Sequence, residues 1–478
     1  MYIGGLDIGT SGCKIAVFDE NGNFVKCEYT EYDVKRGGGL HEIDPEQIFA
    51  CAKKVISGLE IYDLAAIAVT SFGETFVMLD ENDKPCAPSM LYTDPRGKEE
   101  CSKISAHFGE KQLAYLTGAK PHEMYSLPKI MWVKNNLPVQ YAAARHILLM
   151  QDYIVYMLTG NAQIDYSLAA RTACFDIENK CWSNEILDYC EIDPNLLSAP
   201  VPSGTDAGKV KADIAAELSV NPKLRIISGC HDQIAAMTGA GIFERGEVMD
   251  GTGTVECVPV VTDSVPKDFP LFECGFSFAP HINGKYACYA LSYAGGATLK
   301  WFRDNFSDQS YAQLDKTVGD TPTDLLIMPH FAGAATPYMD TASKAAIIGL
   351  TFEHTKSDIY KALMEGTAYE IAVNIETLKK YSLVPQKLVA TGGGARSAVW
   401  LQIKADVLGI PVMSLDIQEV GAAGTAYLAG KAVGVYPKGM RLASITAVYN
   451  PNEAKHKIYR EQFKKYAKIY GFSKQILY

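Results

Sequence analysis

"GGLDIGTSGCKIAVFD" (Gly4–Asp19) reads as an apolar strand, a Gly/Thr turn and a second apolar strand. Asn21-Gly22 follows at once and supplies the positive-φ pair a tight turn prefers, so "FVKCEYT" extends the pattern to a third strand. "HEIDPEQIFACAKKVISGL" (His41–Leu59) then opens a helix, with Asp44 as N-cap, Pro45 at the first helical position and Gln47 completing a capping box. "LAAIAVTS" (Leu64–Ser71) is a continuous apolar run, suited to a strand covered on both faces. Strands flanking a helix in this way indicate an alternating α/β fold.

The opening pattern returns. "GEVMDGTGTVECVPVV" (Gly246–Val261) is again strand, Gly/Thr turn, strand, and "KLVATGGGARSAVWLQIKADVLGIPVMSL" (Lys387–Leu415) reads strand, Gly turn, helix, Gly stop, strand. We read this as an internal duplication of imperfect register. It divides the chain near Phe243 into two domains, 1–244 and 245–478. No Pro- or Ser-rich linker separates them, which predicts domains packed closely around a cleft.

A chain of 478 residues exceeds one core. Its 48% hydrophobic and 21% charged content describes an ordinary globular protein. The formal charge of −10 argues against a nucleic-acid partner, since such binding needs basic patches. "HILLMQDYIVYML" (His146–Leu158) is short and carries Asp152, so it predicts a core helix and no membrane span. The N-terminus lacks the features of a secretory signal, and no two of the 12 cysteines have C-x₂-C spacing. Scattered thiols of this kind point to a cytoplasmic location.

Three stretches carry chemistry. In Asp7–Gly12, Gly9 and Gly12 let the backbone approach a ligand, Thr10 and Ser11 add hydroxyl donors, and Lys14 adds a positive charge. Asp7 would repel a phosphate there unless a cation lay between them, and Mg²⁺ takes carboxylates together with phosphates. Gly251-Thr252-Gly253-Thr254 repeats the turn chemistry, and Gly392-Gly393-Gly394-Ala395 either admits a nucleoside or forms a close βα turn. Neither fits G-x-G-x-x-G, and "GTAYLAGKA" (Gly424–Ala432) fails the P-loop spacing. In "IISGCHDQIAAMTG" (Ile226–Gly239), Asp232 stands at a strand–helix junction, as an N-cap or as a carboxylate placed for chemistry.

Taken jointly, "GLDIGTSGCK", "MYSLPKIMWVKNN", "DYSLAARTACFD", "SGCHDQIAAMTGAG", "DGTGT", "AGGATLKWFRDN" and "ATGGGARSAVWLQIKADVLGIPV" resemble the FGGY carbohydrate kinases. The resemblance implies an α/β fold of two actin-like (ribonuclease H-like) domains, with an active-site cleft between them that closes over ATP, Mg²⁺ and a sugar. It makes Asp232 the catalytic base, Asp7 the metal-side carboxylate, and Thr10, Ser11 and Lys14 phosphate contacts. It places Thr252, within Gly251–Gly253, on the γ-phosphate, Gly296 and Lys300 along the nucleotide, and Gly393, Gly394 and Ser397 at the adenine end. Gln233 matches a substrate contact. A helix N-terminus favours the charged form of Asp232 and so weakens it as a base. A loose phosphoryl-transfer transition state tolerates that.

The sugar-reading loop departs from the family pattern. In Phe72-Gly73-Glu74-Thr75, Glu74 and Thr75 resemble the glycerol kinases, but Gly73 stands where those carry Arg, which leaves room for a longer ligand. Asp94-x-Arg96 matches the ketopentose kinases. The expectation is therefore a ketose or sugar alcohol larger than glycerol, held by Glu74 and Asp94 with Phe72, Arg96 and Gln233 around it. A xylulokinase-like activity is favoured over a glycerol or tetritol kinase. An actin-like ATPase switch and a sugar-binding regulator are the readings from other classes. The partner expected is a small-molecule sugar or polyol, and the resemblance allows a homodimer.

Overall fold

The computed structural model describes residues 1–417 and 419–477. Met1–Phe243, Phe278–Tyr286 and Glu419–Ala443 form one compact unit, and Glu244–Ser277, Ala287–Gln418 and Ser444–Tyr478 form the other. The first unit thus takes residues 1–243 and is joined by two later segments, Phe278–Tyr286 and Glu419–Ala443. The chain returns to the first unit because the apolar helix near its end covers that unit's sheet.

In the first unit the opening stretch forms β1 (Tyr2–Ile8), β2 (Gly12–Asp19) and β3 (Phe24–Glu31). Helix α1 (Pro45–Gly58) starts where expected, with the amides of Glu46 and Gln47 donating to the Asp44 carboxylate. β4 (Leu64–Ser71) is buried along nearly its whole length, as a strand covered on both faces must be. β5 (Phe76–Leu79) and α2 (Ser126–Asn136) follow. "HILLMQDYIVYML" then departs from expectation. Its first residues form β6 (His146–Leu149), paired antiparallel with β5, and only the remainder is α3 (Met150–Thr159). An apolar run alone does not separate a buried strand from a buried helix. β7 (Thr205–Lys209), β8 (Arg225–His231) and α4 (Asp232–Gly239) complete the set, and the sheet runs β7–β8–β4–β1–β2–β3.

The second unit is built on β9 (Glu247–Thr252), β10 (Glu256–Thr262), α5 (Gly296–Phe306), α6 (Lys356–Lys379), β11 (Lys387–Gly392), α7 (Ala398–Leu408), β12 (Val412–Leu415) and, after the return helix α8 (Val420–Ala432), β13 (Ile445–Tyr449). Its central strands lie in the order β10–β9–β11–β12–β13. Here β9 pairs antiparallel with β10 and parallel with β11, β11 parallel with β12, and β12 antiparallel with β13. The first unit shows the same succession across β2–β1–β4–β8–β7.

α8 belongs to the first unit, where it meets α4 and β1 backbone to backbone. A Cβ on Gly239 would lie 1.9 Å from the Val420 carbonyl oxygen, and one on Gly424 would lie 1.9 Å from that of Ala235. Only hydrogen fits at either position. No helix of the described residues is long and apolar enough to cross a membrane.

Candidate active site

The strand–helix junction at Ile226–Gly239 resolves as β8 running straight into α4. His231 is the N-cap residue and Asp232 the first helical residue, so the Asp232 side chain is not the cap. Its Oδ1 is buried without a hydrogen-bond partner, 3.3 Å from His231 Nε2, while the side chain as a whole keeps 35% of its surface exposed. Burial raises its carboxyl to about 6, against the opposing pull of the Gln233 amide and the Arg171 charge. The helix N-terminus was expected to make it a weak base, but desolvation is the larger effect. Burial and the Arg171 charge hold the His231 imidazole down at about 3, so it stays neutral. Gln233 follows as the second residue of α4.

Asp7 lies one residue from the end of β1, with Oδ2 close to the first turn of α8: a Cβ on Gly421 would stand 3.3 Å away. Burial raises its carboxyl to about 7, the Asp232 charge adds to the rise, and Lys14 opposes it. Asp7 Oδ1 is also buried and unpartnered. The β1–β2 turn is closed by Gly9 N–H donating to Gly12 O at 2.9 Å, with Thr10 and Ser11 at its tip. Lys14 pairs with Glu419, just before α8, a partner 405 residues away that the sequence did not disclose.

After β4, Phe72 turns into the apolar core with Leu6 and Ile8, only 3% exposed. Glu74 sits at φ +66°, is 4% exposed and accepts from Arg171 Nε at 2.6 Å. Arg171 comes from a short turn at Ala170–Thr172 and lies over the Tyr125 ring. The room expected beside Gly73 is filled by this chain: a Cβ there would meet Arg171 Cγ at 3.0 Å and His231 Cδ2 at 3.3 Å. Burial and then the charges of Glu74 and Asp232 raise the Tyr92 phenol. Arg171 and Tyr92 had no sequence signal beyond their family context.

Asp94 and Arg96 face one another. Arg96 Nε and Nη2 donate to the two Asp94 oxygens at 2.8 and 2.7 Å, the backbone N–H groups of His41 and Arg96 donate as well, and Arg96 reaches Glu42 at 2.7 Å. Buried Lys129, on α2, donates to the carbonyls of both residues. The turn is therefore held rigidly, with the Asp94 carboxylate 1% exposed.

In the second unit, Thr252, Gly253, Gly296, Gly393, Gly394 and Ser397 share the wall of one cavity of about 450 Å³, within the roughly 300–1,000 Å³ typical of small-ligand sites. Leu299, Tyr311, Tyr360 and Trp400 add apolar and aromatic walls, and Arg396 adds a cation. The N-terminus of α5 caps the turn, Gly296 and Ala297 N–H donating to the Gly253 and Thr254 carbonyls at 2.8 and 3.1 Å. Ser397 is the N-cap of α7 and accepts from Trp400 N–H. A Cβ on Gly394 would lie 2.4 Å from Thr252 Cγ2, so its glycine makes room for that methyl. Gly251 stands just before Thr252 in β9. Lys300 does not line the cavity: its ammonium pairs with Asp304 on the exposed side of α5, with 62% of its side chain exposed.

Among the described residues no group of three or more His, Cys, Asp or Glu is spaced to hold a metal ion by itself. The donor set in the first unit suits a cation that completes its shell from phosphate and water. Asp7 Oδ1 is a buried acceptor without a donor, and Mg²⁺ takes one or two carboxylates in just that mixed shell.

Comparison with known proteins bears on both units. Residues 2–239 match the N-terminal domain, and residues 251–433 the C-terminal domain, of the FGGY family of carbohydrate kinases. The chain is 29% identical to the xylulose kinase of Lactococcus lactis subsp. lactis, over 99% of this chain and 96% of that one. It is 31% identical to the glycerol kinase of Deinococcus radiodurans, over 91% of this chain and 89% of that one. Its structure superposes on a xyloylose kinase from Brucella ovis with a TM-score of 0.92, at 25% identity and full coverage of both chains. The fold is α/β with two domains of the actin-like kind.

Proposed function

The chain belongs to the FGGY family of carbohydrate kinases, and on that premise we propose which of its residues carry the transfer and which acceptor it takes. The protein is a phosphotransferase acting on an alcohol group of a carbohydrate, xylulokinase-like in sequence over nearly its whole length. ATP is the donor, seated in the 450 Å³ cavity with its phosphates toward Gly251–Gly253. The acceptor is a ketose of the xylulose class, held in the first unit beside Glu74 and Arg171.

One observation carries this reading: Asp232 is a carboxylate at a helix start with a buried, unpartnered oxygen, raised to about 6 by burial. Such a group is mostly ionised near neutrality yet basic enough to accept a proton as the transfer proceeds. The acceptor oxygen attacks the γ-phosphorus, the bond to the β–γ bridging oxygen breaks, ADP leaves, and the hydroxyl proton passes to Asp232. His231 stays neutral through this step and adds no charge beside the base. Asp7 would hold Mg²⁺, which when bound neutralises phosphate charge. Thr10, Ser11 and Gln233 complete the polar rim of the first unit's site.

A second acceptor class is favoured by one observation. Gly73 argued against glycerol-type acceptors by removing a guanidinium, yet Arg171 brings one against Glu74. A short polyol is therefore the competing substrate. Initial rates with xylulose, ribulose, glycerol and tetritols decide between them through kcat/KM, because a site built for particular hydroxyls rejects analogues that lack them. Asp232→Asn should lower turnover on the best acceptor by roughly a hundredfold or more, while calorimetry shows ADP still binding. Near-normal turnover of that variant overturns the assignment.

A further inference from the structure

The second unit encloses a charge cluster that plays no part in the reading above. Lys404, in α7, is fully buried. Its Nζ donates to Asp250 Oδ2 at 2.5 Å, to Glu256 Oε1 at 2.5 Å and to Thr252 Oγ1 at 2.8 Å. Asp250 and Glu256 are fully buried too, and Thr252 is 1% exposed. The two acids bracket the Gly251–Val255 turn, one on β9 and the other opening β10, where Thr252 registers against Glu256. The same ammonium lies 4.5 Å from the Trp400 ring, which forms part of the cavity wall.

This arrangement fixes the Thr252 hydroxyl. A hydroxyl has one proton to donate, and here the acceptors are Asp250 Oδ1 at 3.0 Å and Glu256 Oε1 at 3.2 Å, while Lys404 donates to its lone pair. Its methyl group is directed at Gly394. Thr252 is thus held from behind by its hydroxyl, with its methyl against Gly394. Burying a cation with two acids is costly unless every charge is met. Burial and the neighbouring Asp250 charge push the Glu256 carboxyl up, although Lys404 opposes the rise.

We propose that Lys404 is a positioning residue for the phosphate turn, locking Thr252 and the Trp400 wall so that the ligand-free turn already has its binding shape. The inference rests on the nucleotide reading of the cavity, and its test separates the two. The charge-free variant Lys404→Met/Asp250→Asn/Glu256→Gln removes the cluster without stranding a charge. Thr252→Val detaches the turn and leaves both ion pairs in place, so it keeps the fold if the triple variant does not.

The readouts are KM for ATP, KM for the sugar acceptor, and amide exchange of residues 251–255 in ligand-free protein. The variants should raise KM for ATP about tenfold or more, leave KM for the acceptor unchanged, and speed exchange of the turn about tenfold. A cluster that only stabilised the fold would reduce the active fraction and leave both KM values alone. A hydroxyl that only bonded phosphate would raise KM in Thr252→Val without changing ligand-free exchange. Either pattern overturns the proposal. If the wild-type protein bound no ADP, the nucleotide reading would fail, and turn exchange would still decide the role of Lys404.

Discussion

Arg171 Nε donates to Glu74 Oε1 across 2.6 Å, joining residues 97 positions apart in the sequence. Their side chains are 13% and 5% exposed, so neither charge is well solvated by itself. Removing one partner of such a pair costs on the order of 3 kcal/mol, because the other is left buried and unpaired. Arg171→Leu should therefore raise KM for the acceptor strongly and lower the melting temperature. KM for ATP should stay near its wild-type value. Adding Glu74→Gln should restore much of the stability but not the acceptor affinity. An acceptor KM unchanged in Arg171→Leu would exclude the pair from the sugar site.

Gly73 belongs to the same contact. With a Cβ at that position 3.0 Å from Arg171 Cγ and 3.3 Å from His231 Cδ2, Gly73→Ala must push one of them aside. Arg171 is the longer and more adaptable side chain. The expected outcome is a several-fold loss of kcat/KM on the best acceptor, with stability changed by less than about 1 kcal/mol. Steady-state kinetics beside a thermal melt would show it. A gain in activity on longer sugars would mean that the loop has spare room after all.

Lys300 gives a prediction in the opposite direction. The family pattern places it along the nucleotide, yet its ammonium is engaged with Asp304 one helical turn on, at the surface of α5. Exposed pairs of this kind contribute roughly 0–1 kcal/mol. Lys300→Ala should leave ADP affinity within about twofold of wild type. A tenfold loss by calorimetry would show that the side chain leaves Asp304 to meet the ligand.

What the sequence disclosed and what it hid follow from range. The turns at Gly9–Gly12, Gly251–Gly253 and Gly392–Gly394, and the strand-to-helix step at Asp232, are local: a few neighbouring residues set backbone shape, and all were legible. Pairings that decide electrostatics are not local. Arg171 meets Glu74 across 97 residues, Lys404 meets Asp250 across 154, and Lys14 meets Glu419 across 405. Lys404 in "LQIKADVLG" reads as an ordinary helix position, because only the fold brings two acids to it. Gly73 was misread for the same reason, since its empty volume is filled by a distant segment. α8 looked like part of the second half because sequence order says nothing of which sheet an apolar helix will cover.

The contact between α4 and α8 sets the tolerance of the first unit. Both Gly239 and Gly424 oppose backbone carbonyls at distances no Cβ can occupy, 1.9 Å in each case. Gly239→Ala or Gly424→Ala must pry the helices apart, at a cost of roughly 3 kcal/mol. Gly37→Ala is the control: nothing lies within 4 Å of its Cβ and its change should stay within about 0.5 kcal/mol. Denaturant unfolding of the three variants measures the difference. Equal stabilities would mean the helices can separate without loss.

Asp152 makes stability depend on pH. It is 1% exposed, accepts from Ser198 Oγ at 2.6 Å, and leaves Oδ1 buried without a partner. Burial raises its carboxyl to about 8, partly offset by the Ser198 bond. In the unfolded chain the same group titrates near 4. Between those values the native state holds a proton that the unfolded state has lost, so stability falls as pH rises, by up to about 1.4 kcal/mol per pH unit from this group. Its contribution is complete below pH 4 and gone above pH 8. Asp165 and Glu365, raised to about 6 by burial, add to the same slope over its lower half. Asp152→Asn keeps the acceptor for Ser198 and removes the titration. Melting temperatures from pH 5 to 8 should decline in the wild type and flatten visibly in the variant. A variant curve of unchanged slope would mean that Asp152 is ionised in the native protein.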